Sequence, residues 1–212
     1  MVQVIQASML TLPKVKEQFR LRQTWDLQFF PEWQQVTTLL AESEQQWLDQ
    51  IRSDFLSIVE HSSTEEVVKL FVLSPLLSLA GLARYPFVPV TEEVVEILVE
   101  GEDELIRGKI DLLVLHQHLW IVVLEAKRQS LNVTVALPQA LFHMMDSPNS
   151  DHPVYGLVSN GTEFLFLKLV RQEDSEYGLS RLFSLINPGN DLYAVITILK
   201  HLRDVVSETP LA

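Results

Sequence analysis

The residues of this sequence best suited to chemistry are Asp111, Glu125 and Lys127. Asp111 interrupts an apolar run from Lys109 to Leu115, and Glu125-Ala126-Lys127 closes a second hydrophobic run that begins at Leu119. An unpaired buried charge is costly, so such groups are expected to be paired, hydrogen-bonded or metal-bound. Glu125 and Lys127 are two apart on a strand and therefore share a face. Asp111 joins them if His116 to His118 form a three-residue turn that sets Leu115 opposite Leu119 and Asp111 opposite Val123. A two-residue loop turns Asp111 to the other face, because a one-residue slip exchanges the faces of a strand. The two carboxylates are hard oxygen ligands of the kind Mg²⁺ takes. The ammonium beside them can stabilise charge developing on a phosphate or orient a water. The plainer reading is a structural ion pair of Lys127 with Glu125 or Asp111 at the sheet edge.

The elements that must hold these residues are legible from periodicity. The first 31 residues show no clear period, and Trp25, Phe29 and Phe30 suggest an arm packed on the body. Apolar residues at spacings of three and four predict a helix over Glu32 to Glu60. A second helix is expected from Ser62 or Ser63, with a glutamate three residues later as a capping box, to about Ala83. Val94 to Glu100, Leu105 to Leu115 and Leu119 to Lys127 read as a three-strand meander. Ala136 to Met145 reads as a helix with Pro138 near its start, where proline is tolerated. Asn160-Gly161 marks a hairpin turn between strands Pro153 to Ser159 and Glu163 to Leu169. Arg171 to Gly178 reads as a polar loop and Asp191 to Val206 as a closing helix. The sum is an α/β protein with a mixed central sheet of about five strands, flanked by helices and extended by an N-terminal helical segment. His116 and His118 read as exposed turn histidines, and His61, His152 and His201 are isolated. No serine–histidine–aspartate set can be argued from spacing, and the 7 glycines never cluster into a phosphate loop.

Composition narrows the class. At 212 residues and 47% hydrophobic, the chain can bury one full core. With no cysteine, disulfides, thiolate metal sites and a cysteine nucleophile are excluded. The start, MVQVIQASMLTLPKVKEQF, lacks the basic and apolar regions of a signal peptide. The apolar, charge-free run Leu70 to Ala83 is 14 residues and contains Pro75, too short to span a membrane. A soluble cytoplasmic protein is expected. The net charge of −12 argues against a lone nonspecific DNA binder, since phosphate neutralisation dominates such affinity. Seven acids between Glu92 and Glu104 read as a solvated face, while Arg107, Lys109, Lys127 and Arg128 form a local basic group around the candidate site.

Gly108-x-x-Asp111, Glu125-Ala126-Lys127 and Gln139 in the helix that follows resemble the PD-(D/E)XK nuclease superfamily. More narrowly, they resemble the N-terminal nuclease domain of type I restriction enzyme R subunits and its standalone relatives, over about Ser63 to Leu169. The resemblance implies a restriction-endonuclease-like core at 62–170; length and apolar periodicity add an arm and helix at 1–61 packed on it and a closing helix in 171–212, in a single domain. It implies Mg²⁺ or Mn²⁺ held by Asp111, Glu125 and the carbonyl of Ala126, Lys127 at the reacting phosphate, and Gln139 positioning DNA or the lysine. It also implies a glutamate reaching the metal from the start of the second helix. Pro75-Leu76-Leu77, ten residues after Glu65, favours Glu65 over Glu66, although both also suit the N-terminal end of the helix dipole. His143 stands where relatives carry a tyrosine.

Two functions follow as expectations. The first is a metal-dependent endonuclease hydrolysing DNA phosphodiester bonds, acting as a homodimer or with partner subunits and without a membrane. The second is a catalytically inactive nuclease-fold protein that serves as a nucleic-acid or protein interaction module in a larger complex.

Overall fold

The computed structural model describes residues 3–34, 39–61, 64–98, 104–116, 119–126, 132–148, 152–172 and 175–208, with the backbone alone described over 119–126. The architecture is mixed α/β. Nine strands among the described residues form one sheet. They are β1 (Gln3–Gln6), β2 (Arg22–Gln23), β3 (Phe87–Leu98), β4 (Glu104–His116), β5 (Leu119–Ala126), β6 (Val154–Ser159), β7 (Glu163–Val170), β8 (Glu176–Leu179) and β9 (Phe183–Ser184). The main order is β1-β4-β5-β6-β7-β8-β2, with β3 on β4 and β9 on β7. The β1–β4, β2–β8 and β5–β6 pairs are parallel and the others antiparallel. The five long strands, β3 to β7, are the ones expected.

Helices cover both faces, and alternation in β6 shows how. Tyr155 and Leu157 enter a core shared with α2 (Glu42–Val59), α4 (Ser74–Ala80) and α6 (Leu192–Glu208). Val154 and Val158 enter a second core with α1 (Leu12–Gln18) and α5 (Leu137–Met145). Gly156 lies against α5, where an added Cβ would meet Met144 Sδ at 2.9 Å.

Several boundaries differ from expectation. The helix expected over Glu32 to Glu60 starts only at Glu42, where Glu44 reaches back to accept from the Ala41 N–H at 3.0 Å. Pro31–Trp33 is instead a separate 3₁₀ turn. The N-terminal stretch without a period holds β1, α1 and β2, elements too short to show one. β3 begins at Phe87, seven residues before the expected Val94. Part of the expected loop from Arg171 to Gly178 is β8, which packs on β7. The second helix begins at Glu65, capped by Thr64, whose hydroxyl accepts from the Val67 N–H at 3.4 Å; the expected caps Ser62 and Ser63 lie outside the described residues.

That second helix runs as α3 (Glu65–Val68), a π-helical turn (Lys69–Leu73) and α4, ending at Gly81 in the left-handed region. Proline within a helix lacks an N–H and collides with the carbonyl four residues earlier. Pro75 meets this constraint next to the π turn, where the Ser74 N–H bonds back five residues to the Lys69 carbonyl. The same carbonyl accepts from Ser74 Oγ at 2.8 Å. Single π turns often occur at functional positions, and this one begins at Lys69.

Candidate active site

Asp111 sits at a break in β4. The stretch Glu104 to Arg107 pairs with β1, and Leu112 to His116 pairs with β5. Along β4, Ile106 and Ile110 enter the α5-side core, while Leu112 and Val114 enter the opposite one. Residues of one parity on a regular strand share a face, so the alternation changes hand at Asp111. The β3 ladder registers the same break. Thr91 pairs with Leu112 and Glu93 with Ile110, but Glu92, level with Asp111, is skipped and has φ +62°. A non-glycine residue in that region is uncommon, and such conformations cluster at functional sites.

The β4–β5 turn departs from the expected register. His116 pairs with Leu119 across two residues, which by itself would turn Asp111 to the wrong face. The pairing then shifts, with Leu115 opposite Trp120 and Val114 opposite Val122, so Ile121 is an extra residue in β5. A bulge of this kind re-aims the residues beyond it. Val123 consequently pairs with Leu113 rather than Asp111. One step past the Leu112–Leu124 pair, the backbone brings Asp111 level with Glu125. β5 ends at Ala126, beside Ser159 of β6. Lys127 lies outside the described residues.

The first turn of the second helix closes over Asp111. Lys69 Nζ lies 2.8 Å from Asp111 Oδ1, with the two side chains 26% and 16% exposed. Burial alone would lower the Lys69 pKa. The hydrogen bond and charge of Asp111, together with the charges of Glu65 and Glu66, outweigh burial and hold it above the ordinary lysine value. The Glu66 carboxylate is held below the usual glutamate range by its own backbone N–H, then by the Thr64 hydroxyl. Glu66 is exposed and serves the helix end, whereas Glu65 is half-buried. Glu92 is lowered mainly by its hydrogen bond to Lys109, 2.8 Å away. Asp111, Lys69, Glu65, Glu66, Glu92 and Lys109 thus form one charged cluster.

Sequence reasoning missed Lys69. The available signal was its spacing, four residues after Glu65 and three after Glu66, which puts all three on one helical face. Gln139 is in the first turns of α5, on the opposite layer of the sheet from Lys69. His143, one turn further on, is fully buried, and a Cβ on Gly108 would come within 2.4 Å of its Nε2. Gly108 is therefore required by the close seating of α5 on β4. His116 is not the exposed turn residue expected: it is 8% exposed and its ring stacks on Phe87 with centroids 4.9 Å apart. His118 lies outside the described residues. Among the described residues no group of three or more histidine, aspartate and glutamate side chains is close enough to hold a metal, and the side chain of Glu125 is not among those described. No helix there is long and apolar enough to cross a membrane.

No protein-family model matches the chain, and no match to it is found among curated proteins.

Proposed function

We propose that this chain is a divalent-cation-dependent endonuclease that hydrolyses DNA phosphodiester bonds, with a restriction-endonuclease-like core. The observation that carries the reading is the position of Asp111. It is a half-buried carboxylate at a break in β4, level with the backbone of Glu125 and facing the helix turn that bears Glu65.

The donor set fits a hard cation. Asp111, Glu125 and the Ala126 carbonyl would hold Mg²⁺ or Mn²⁺, and Glu65 would support it directly or through water. All are oxygen donors, as such ions require. A divalent cation there supplies polarisation of a phosphate oxygen and a lowered water pKa. Lys127 stabilises the charge that builds on the phosphate or orients the attacking water. Gln139 acts from the opposite layer on DNA or on that lysine. The net charge of −12 leaves DNA affinity to local basic groups such as Arg107 and Lys109, to a second copy or to partner subunits. The cytoplasm, where DNA is the substrate, is the compartment that suits this reading.

A second reading has one observation in its favour. Lys69 already neutralises Asp111, as in a structural ion pair, which suits a nuclease-fold protein that binds a partner or nucleic acid without cleaving. Incubation of supercoiled plasmid with the purified protein at low salt separates the two. Nicking with Mg²⁺ or Mn²⁺ that stops with chelator is expected of the endonuclease, and an intact plasmid under every condition favours the binding module.

A further inference from the structure

We propose that Lys69 is a positioning residue, the resident counter-cation of this site, which holds Asp111 until a divalent cation takes its place. The inference rests on the reading of Asp111 as a cation ligand and adds a residue that neither the motif nor its spacing assigns.

Three observations carry it. First, the Lys69 ammonium already occupies a cation's position on the Asp111 carboxylate, at 2.8 Å from Oδ1. The carboxylate is only 16% exposed, and a carboxylate buried to that degree is stabilised by a positive partner. Second, Lys69 is four residues after Glu65 and three after Glu66 on the same helix, and the charges of both glutamates act on its ammonium along with that of Asp111. Third, it is the first residue of the π turn. Both the N–H and the hydroxyl of Ser74 bond to the Lys69 carbonyl, so the backbone that carries the lysine is held at this turn.

One compact positive charge among several carboxylates keeps them from repelling one another when no metal is bound. A divalent ion on Asp111 competes for the same oxygen and repels the ammonium. Lys69 must then give up Oδ1, and its flexible four-carbon stem lets it do so without moving the helix. The released ammonium stays at the mouth of the site, where it adds positive charge for a phosphate. The ion pair thus sets a threshold: the cation binds more weakly than the bare donor set would allow.

Calorimetric titration with Mn²⁺ tests this on the full chain, using wild type, Lys69→Gln, Lys69→Arg and Asp111→Asn. Removing the competing charge is expected to tighten Mn²⁺ binding about tenfold in Lys69→Gln, a scale consistent with close like-charge repulsion near a protein surface. Lys69→Arg keeps the charge and should bind as wild type does or more weakly. Asp111→Asn should bind at least about tenfold more weakly. A purely structural lysine would instead lower or leave unchanged the affinity of Lys69→Gln. In the unsubstituted protein, Mn²⁺ should raise the rate of amine-selective labelling at Lys69, read by mass spectrometry, so the proposal remains testable if Lys69→Gln fails to fold. Unchanged or weaker binding by Lys69→Gln, or unchanged labelling, with Asp111→Asn still impaired, overturns the role of Lys69 and leaves the cation site standing. Binding by Asp111→Asn equal to wild type, or no binding by any protein, overturns both.

Discussion

Single residues in this protein are decided by what touches them. Gly161 is one case: its φ of +86° belongs to the left-handed region, and a Cβ there would come within 2.2 Å of the Phe55 ring tip. Gly161→Ala is expected to cost about 2–4 kcal/mol, combining backbone strain with overpacking of α2 on the β6–β7 hairpin; urea denaturation measures it. At the site the roles separate by charge. Lys127→Ala should lower cleavage by about 10²–10³, the range for one preorganised group that stabilises transition-state charge, while Mn²⁺ affinity by calorimetry stays close to wild type. A parallel loss of metal affinity would place the lysine in the wrong role. Asp111 was legible in the sequence because an acid amid Ile110, Leu112 and Leu113 demands a partner. Lys69 was not, because a lysine beside two glutamates at a helix start has the same text whether it faces solvent or a strand.

At the level of elements, short-range signals were legible and their interruptions were not. The Asn160-Gly161 turn joins β6 and β7, and Asn160 Oδ1 accepts from the N–H groups of Thr162 and Glu163. The order of helix and strands from α3 to β7 also follows the apolar periods. The Ile121 bulge and the change of hand at Asp111 left no mark, because Val, Ile and Leu occupy both faces of these strands and cannot report which way each points. Elements distant in sequence are tied by ion pairs. Glu32 of the 3₁₀ turn accepts from Lys168 Nζ at 2.6 Å and from the Tyr155 hydroxyl at 2.8 Å, and both charged side chains are about nine-tenths buried. Burial, then the charge of Glu32, pushes the Tyr155 phenol far above its ordinary pKa, so it remains a donor. Glu32→Ala strands the Lys168 charge and should cost about 3 kcal/mol, again read by urea denaturation. Glu44 joins the start of α2 to Lys200 of α6. The Lys200 hydrogen bond, against a smaller opposing effect of burial, holds Glu44 below its ordinary value of 4.5. A depressed acid stabilises the fold above its unfolded pKa and loses that contribution as pH falls through the folded one. Thermal stability should therefore decline as pH drops below about 4.5, and Glu44→Gln should show a shallower decline over the same window.

Across the whole molecule, the sheet brings the two ends of the chain to the strands between them. β1 lies on β4, β2 lies on β8, and α6 packs over the face opposite α5. That arrangement clamps β4 on both sides of Asp111, by β1 before it and β5 after it, and sets the start of the second helix above it. The most direct test is nicking of supercoiled plasmid at low ionic strength by wild type and by Asp111→Asn, the latter first shown to be folded by its melting transition. Wild type is expected to nick with Mg²⁺ or Mn²⁺, to stop with chelator, and to exceed Asp111→Asn at least about 100-fold. Equal nicking by the two proteins, nicking that survives chelation, or none by wild type would contradict the endonuclease reading.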